Sequence, residues 1–179
     1  MRADARRNRE RIMEVAREVL TEHGPGASLN QIAQRAGVGA GTLYRHFPSL
    51  QDLLVAVIRD DVEALCARGR ELLEHPAPDQ ALRTWLRAVA VHATAMRGLV
   101  AIEMAGAAPA LAACHDDILA TGEALLARTA PSHVAVADLL KLANAIGWAA
   151  EQSPEDEHLI DRLLALVTPE KREGAPPPK

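Results

Sequence analysis

The chain has 179 residues, of which 49% are hydrophobic and only 2% aromatic. Its core must therefore be built largely from Leu, Val, Ile and Ala, which is typical of packed helices. No apolar run approaches the roughly 18 residues needed to span a bilayer, so the sequence argues against an integral membrane protein.

The charge is unevenly distributed along the chain. The overall net charge is −4, but residues 1–50 hold eight Arg against five acidic residues, a net +3, which leaves −7 for the remainder. A basic N-terminal part and an acidic remainder are typical of a protein whose N-terminal part contacts phosphate groups and whose remainder does not. A merely solvated basic helix face is the alternative reading of the charge alone.

Two cysteines, Cys66 and Cys114, occur without a signal-peptide pattern. This predicts a reducing compartment, by default the cytoplasm, and no disulfide framework. The segment Cys114-His115-Asp116-Asp117 has neither metal-ligand spacing nor a nucleophile motif, because adjacent helical residues point in different directions. We therefore expect no metal, no cofactor and no enzymatic activity.

The first 50 residues predict a compact three-helix head. Apolar spacing from Asn8 predicts a first helix that ends at Gly24, after a mobile Arg-rich arm over residues 1–7. Ser28 with Gln31 three residues later forms a capping-box pattern that opens a short second helix. The turn at 36–38 then leads to a third helix over about 39–47, which Pro48 ends.

The remaining chain predicts an antiparallel helical bundle. A helix of about 25 residues begins at Ser49, and Pro76-Ala77-Pro78 breaks the chain after it. Further helices are predicted over residues 80–96, 99–107, 111–128, 134–151 and 155–167. The fold class is therefore all-α with about nine helices, divided into a flexible arm (1–7), a helix-turn-helix domain (8–48), a helical domain (49–170) and a disordered tail (171–179).

The segment from Gly26 to Leu54 combines the capped second helix and the glycine turn with a distinctive set of residues: Ser28, Ile32, Ala33, Ala36, Gly37, Val38, Gly41, Thr42, Leu43, Tyr44, His46, Phe47, Leu53 and Leu54. In these residues the segment resembles the TetR/AcrR family of transcriptional regulators, which implies that the helical domain over 49–170 serves ligand binding and dimerisation. The resemblance covers about residues 8–58 and implies a regulator, in most members a repressor, that binds a palindromic operator as a homodimer. Gly39 departs from the family's polar helix cap, and Gln51 from a Lys that commonly contacts phosphate.

The resemblance also implies which residues meet DNA. Phe47 and Leu43 fit core positions, whereas Tyr44 faces elsewhere and can present its hydroxyl. Tyr44, His46 and Ser28 are expected to contact phosphates, although Ser28 also suits a purely structural cap. Base reading is expected from Asn30, Gly39, Ala40, Thr42 and Arg45, where Gly39 and Ala40 offer only backbone or apolar contacts, for instance with a thymine methyl group.

Dimerisation is assigned to the last two predicted helices. Their apolar stripes include Leu139, Ala143, Ile146, Ala150, Leu159, Leu163 and Val167. Two subunits could merge these stripes into a four-helix bundle; packing within a single subunit is the alternative.

In the family, a small apolar or amphipathic effector binds in the helical body and changes the spacing of the two heads. Candidate lining residues, chosen for size, softness or a polar group in an apolar helix, are Trp85, His92, Met96, Glu103, Met104, Cys114, Asn144 and Trp148. Plain core packing is an equal alternative for Trp85 and Trp148, and a surface role for His92. A regulator without a small-molecule effector, and a helical enzyme with a DNA-targeting head, are the competing functions.

Overall fold

The computed structural model describes residues 2–100, 108–129 and 133–168, and every regular element in these ranges is helical. The elements are α1 (Arg2–His23), a 3-10 turn (Gly24–Gly26), α2 (Leu29–Ala36), α3 (Ala40–His46), α4 (Leu50–Leu72), α5 (Pro78–Val100), α6 (Ala108–Leu126), α7 (Val136–Glu151) and α8 (Leu159–Val167). The all-α prediction is confirmed. No helix in these ranges is long and apolar enough to cross a membrane.

The helix boundaries differ from the sequence prediction in three places. α1 begins at Arg2 rather than Asn8, and ion pairs such as Arg6 to Glu10, at 3.6 Å, support the added turns. α5 runs without a break to Val100, because no proline follows Pro78 within it. α8 begins at Leu159 rather than Glu155, after a turn in which the Asp156 carboxylate binds the Arg162 guanidinium at 2.7 and 2.5 Å.

The chain divides into two compact units, one formed by Met1–Ala64 with Ala95–Ile118 and the other by Leu65–Thr94 with Leu119–Lys179. The first unit contains the helix-turn-helix head. Its core is a single cluster of side chains from α1 to the start of α4, and its fully buried members include Ile12, Ala16, Ile32, Ala36, Leu43, Leu53 and Val57. Burial of each larger aliphatic side chain contributes roughly 1.5–3 kcal/mol.

Local signals set the ends of α2. The Ser28 hydroxyl accepts the backbone N–H of Gln31 at 3.3 Å, and the Gln31 side chain accepts the Ser28 N–H at 2.9 Å, so the predicted capping box is present. At the other end Gly37 adopts φ +64° and the Val38 N–H reaches the Ala33 carbonyl at 3.0 Å. This left-handed residue, which favours glycine, ends α2 and turns the chain toward α3.

Trp85 lies at the centre of the second unit. Its side chain has no exposed surface, and its indole Nε1 donates a hydrogen bond to the Leu65 carbonyl of α4 at 3.1 Å. Glycines on α4 and α6 make room for the ring: a Cβ at Gly69 would lie 2.9 Å from Trp85 Nε1, and one at Gly122 would lie 3.0 Å from Trp85 Cζ3. Of the two alternatives for Trp85, the structure therefore assigns core packing.

Two arginine side chains hydrogen-bond to the ends of neighbouring helices in the second unit. Arg128, just after α6, donates to the carbonyls of Leu72 and His75 at 3.2 and 2.8 Å and so satisfies the end of α4. Arg83 of α5 donates to the Thr168 carbonyl at 2.6 Å, just beyond α8. These contacts fix α4 against α6 and α5 against α8.

α7 approaches α5 closely at Gly147. A Cβ at this position would lie 2.5 Å from the Ala90 carbonyl oxygen, a backbone atom that cannot move without shifting α5. We therefore expect Gly147→Ala to lower the free energy of unfolding by about 1–3 kcal/mol, as overpacking does. Denaturant unfolding at fixed protein concentration measures this loss; Lys141→Ala, on the exposed side of α7, is the control and should change the stability by less than about 0.5 kcal/mol. Equal stabilities of Gly147→Ala and the wild type would mean that the helices do not touch here.

The capping box gives a second expectation. Ser28→Ala removes the acceptor for the Gln31 N–H and should lower the stability by about 1 kcal/mol, whereas Ser28→Thr keeps a hydroxyl and should lose much less. Thermal unfolding of the three proteins tests this order. A Ser28→Ala protein as stable as the wild type would show that the cap contributes nothing.

Candidate nucleic-acid interface

The α2–turn–α3 segment has a buried side and an exposed side. Leu43 of α3 is fully buried and Phe47, directly after the helix, is 3% exposed, whereas Tyr44 is 44% exposed. Ala40, Gly41 and Arg45 are also exposed, and Thr42 and His46 are half-buried. Phe47 is therefore a core residue and Tyr44 a surface residue, as the sequence predicts, and α3 presents a polar and small-residue surface to solvent.

On α2 the residues next to this surface have distinct surroundings. Asn30 lies exposed in the first turn. The Ser28 hydroxyl is engaged in the cap, since it accepts from the Gln31 N–H and donates to Gln31 Oε1 at 2.9 Å. The structural role predicted for Ser28 is thus present, and a phosphate would have to replace Gln31 Oε1 to receive the hydroxyl proton.

Two arginines lie against the helix-turn-helix. The Arg9 guanidinium of α1 sits over the Phe47 ring, 5.7 Å from its centroid, in a cation–π arrangement. Arg45 donates its Nε–H to the Gly41 carbonyl at 2.9 Å and so lies along the outside of α3. Sequence reasoning did not single out Arg9, because no local spacing links it to a residue 38 positions later.

Other arginines of the head are held in ion pairs that brace its helices. Arg35 of α2 binds Glu22 of α1 at 2.5 and 2.9 Å, and its hydrogen bond lowers the pKa of the Glu22 carboxyl below its usual value. Arg17 of α1 binds Asp61 of α4 at 2.8 Å and also pairs with Asp60. Arg17 and Arg35 thus join helices, whereas Arg6 and Arg7 form ion pairs within α1.

The predicted effector-lining residues differ in how deeply they are buried. Trp85 is closed inside the core, Cys114 is buried, His92 is half-buried, and Asn144 and Trp148 are exposed. Glu103 and Met104, and the side chain of Met96, lie outside the described residues. Among the described residues, no cluster of three His, Cys, Asp or Glu side chains could hold a metal ion.

The residues of the predicted dimer stripe also differ in burial. Leu139, Ala143 and Ile146 are buried within the chain, so these three pack inside the subunit, as the alternative held. The reason is the close approach at Gly147, which turns this face of α7 onto α5. Ala150, Leu159 and Leu163 are half-buried, while Val167 is 37%, Trp148 53% and Leu166 76% exposed. Of these three exposed apolar side chains, Val167 belongs to the predicted stripe, whereas Trp148 and Leu166 do not.

Comparison with protein-family models identifies both parts of the chain. The family described as bacterial regulatory proteins, tetR family, matches residues 12–57, and the C-terminal domain described as transcriptional regulator SbtR-like matches residues 77–169. An HTH-type transcriptional regulator of Staphylococcus aureus is 41% identical over 73 residues; the match spans 40% of this chain and 40% of that relative.

Solved structures resemble nearly the whole chain. The TetR transcriptional regulator SCO0520 of Streptomyces coelicolor has a TM-score of 0.73 and 32% identity, over 89% of this chain and 95% of that one. The TetR-like regulator LfrR of Mycobacterium smegmatis, solved in complex with proflavine, has a TM-score of 0.73 and 25% identity, over 92% and 96% of the two chains. These relatives are transcriptional regulators and not enzymes. With a family match to its DNA-binding head and another over more than half of its length, the chain belongs to the TetR family of transcriptional regulators.

Proposed function

We propose that this regulator is a repressor that binds a palindromic operator as a homodimer and is released from it by a small-molecule effector. The observation that carries the DNA-binding part is the solvent-facing side of α3, held by the burial of Leu43 and by the turn at Gly37. Such a protein acts on DNA and therefore works in the bacterial cytoplasm, at the nucleoid. The proposal assigns no catalytic step to any residue.

The polar side chains on this surface suit two kinds of contact. Tyr44 and His46 flank the exposed side of α3 and can donate to phosphate oxygens, which positions the helix without reading the sequence. Asn30, Thr42 and Arg45 carry the groups that distinguish base edges: an amide for adenine, a hydroxyl that can donate or accept together with a methyl group for thymine, and a guanidinium for guanine. Gly39 and Ala40 contribute only backbone and apolar surface, so direct readout depends on few side chains.

Because one head reads only a few base pairs, operator recognition requires two heads in fixed register. Trp148, Leu166 and Val167, on α7 and α8, are large apolar side chains left exposed in the single chain. We assign the dimer contact to this exposed face, since buried Trp side chains dominate protein interfaces. The face replaces the part of the predicted stripe that packs inside the subunit.

The proposal of an effector is supported by a similar protein of known structure. The relative LfrR was crystallised in complex with proflavine, and it covers 92% of this chain at 25% identity. We propose a small apolar or amphipathic molecule for this chain as well. Fluorescence anisotropy of operator DNA, titrated with proflavine as the first probe and then with a panel of amphipathic compounds, tests this; an operator complex that no compound dissociates would favour a regulator controlled by another means.

Selection of bound DNA from a random pool by the purified protein tests the DNA-binding proposal. A palindrome whose half-sites lie about one helical turn, roughly 34–36 Å, apart is the expected product. Enrichment of single half-sites would contradict the dimeric arrangement, and no enrichment by the folded protein would contradict sequence-specific binding.

Substitutions on α3 should separate phosphate contacts from base contacts. Tyr44→Phe removes only the hydroxyl and should weaken binding to operator and to unrelated DNA alike, by about tenfold, because a hydrogen bond to a charged oxygen is lost. Thr42→Ala, the comparison variant, should relax the preference at particular base pairs instead. If Tyr44→Phe binds as tightly as the wild type, the Tyr44 hydroxyl is not at the interface.

The exposed face of α7 and α8 gives a separate expectation. Trp148→Ala should raise the dimer dissociation constant at least thirtyfold, in keeping with the roughly 2 kcal/mol typical of an interface hot spot, without unfolding the monomer. Val91→Ala, which also truncates an exposed apolar side chain but on α5, is the control and should leave the dimer intact. Analytical ultracentrifugation measures both; equal dimerisation of the two variants would place the interface elsewhere.

A further inference from the structure

Four helical glycines have described surroundings, and three of them are explained by packing within the chain. A Cβ at Gly69 would lie 2.9 Å from Trp85 Nε1, one at Gly122 would lie 2.5 Å from Val136 Cγ2, and one at Gly147 would lie 2.5 Å from the Ala90 carbonyl oxygen. Such separations leave no room for a side chain. At these positions glycine serves the fold.

Gly41 of α3 is different. A Cβ built on it would meet no atom within 4 Å, and its φ is not among the positive values, which in the described chain occur only at Gly24 and Gly37. Glycine weakens a helix relative to alanine, and α3 has only seven residues with which to offset that loss. Within the part of the chain that the structure describes, the fold therefore bears a destabilising residue here without a packing reason.

The position of Gly41 on α3 indicates which side of the helix lacks a side chain. At 3.6 residues per turn, Gly41 and Arg45, each two residues from the buried Leu43, lie about 160° around α3 from it. They thus form the outermost edge of the helix, the part that enters a groove first. A side chain at Gly41 would project toward the base pairs.

Arg45 is already placed along this edge. Its Nε–H donates to the Gly41 carbonyl at 2.9 Å, which leaves the two terminal amino groups of the guanidinium for other acceptors. Guanine presents two such acceptors, O6 and N7, on its major-groove edge. The bond to Gly41 holds the guanidinium against the surface of α3, so Arg45 reaches a base only if the backbone of α3 itself comes near.

We propose that Gly41 is a specificity-determining position at which operator DNA approaches the backbone of α3, and that the missing side chain sets the depth of the helix and lets Arg45 contact guanine. This inference rests on the proposed DNA-binding function and adds to it a residue that carries no functional group. It also predicts that the methyl group added by Gly41→Ala raises the stability of the protein and lowers its affinity for the operator.

The test is Gly41→Ala. The melting temperature should rise by about 1–3 °C, because alanine strengthens α3. The Kd for the selected operator should rise at least tenfold, while the Kd for unrelated DNA should change by less than about twofold. Thr84→Ala, which replaces an exposed β-branched residue in α5, should also raise the melting temperature but leave both Kd values unchanged.

The possible outcomes separate the proposed DNA-binding function from the inference about Gly41. A wild-type protein that selects no operator would overturn the proposed function itself, before any variant is made. With an operator in hand, a stabilised Gly41→Ala protein with unaltered affinity would overturn the inference alone, and a destabilised one would show that the glycine serves the fold after all.

A double-mutant cycle tests the role of Arg45. If Gly41 acts by bringing Arg45 to a guanine, Gly41→Ala should weaken operator binding much less in an Arg45→Ala background than in the wild type. Fully additive losses would mean that the methyl group excludes DNA without involving Arg45, and the guanine contact would then be wrong.

Discussion

The orientation of α3 depends on the burial of Leu43. Seven residues form this helix, and only one of them is buried, so a single side chain together with Phe47 just beyond it determines which face meets solvent. The left-handed conformation at Gly37 supplies the other constraint, since it ends α2 at the point where the chain must turn. The exposed edge formed by Gly41 and Arg45 follows from these two features.

Ion pairs brace the head around this arrangement. Arg17 joins α1 to α4, and Arg35 joins α2 to α1 through Glu22 and Glu18. These pairs are substantially exposed, so each contributes little to stability by itself, but together they hold three helices in register. Arg9 and Arg45 take no part in these pairs: Arg9 lies over the ring of Phe47, and Arg45 donates to the Gly41 carbonyl of α3.

In the second unit, small residues decide how the helices pack. Gly69 and Gly122 allow the indole of Trp85 to lie between α4 and α6, and Gly147 allows α7 to touch the backbone of α5. Because α7 turns the Leu139 side inward, Trp148 is left at the surface. The candidate dimer face is thus a consequence of where glycine permits close contact.

The sequence by itself determined the helical class, the capping box at Ser28, the turn at Gly37 and the opposite roles of Phe47 and Tyr44. These features depend on residues within a few positions of one another, where the period of a helix and the conformational freedom of glycine act directly. Only the tertiary structure decided that α5 continues past the predicted break, that Trp85 is core and Trp148 is surface, that Arg9 stacks on Phe47, and that a Cβ at Gly41 would meet no described atom within 4 Å. Apolar periodicity identifies a stripe on a helix but not the partner that covers it, because that choice depends on contacts between residues far apart in the chain.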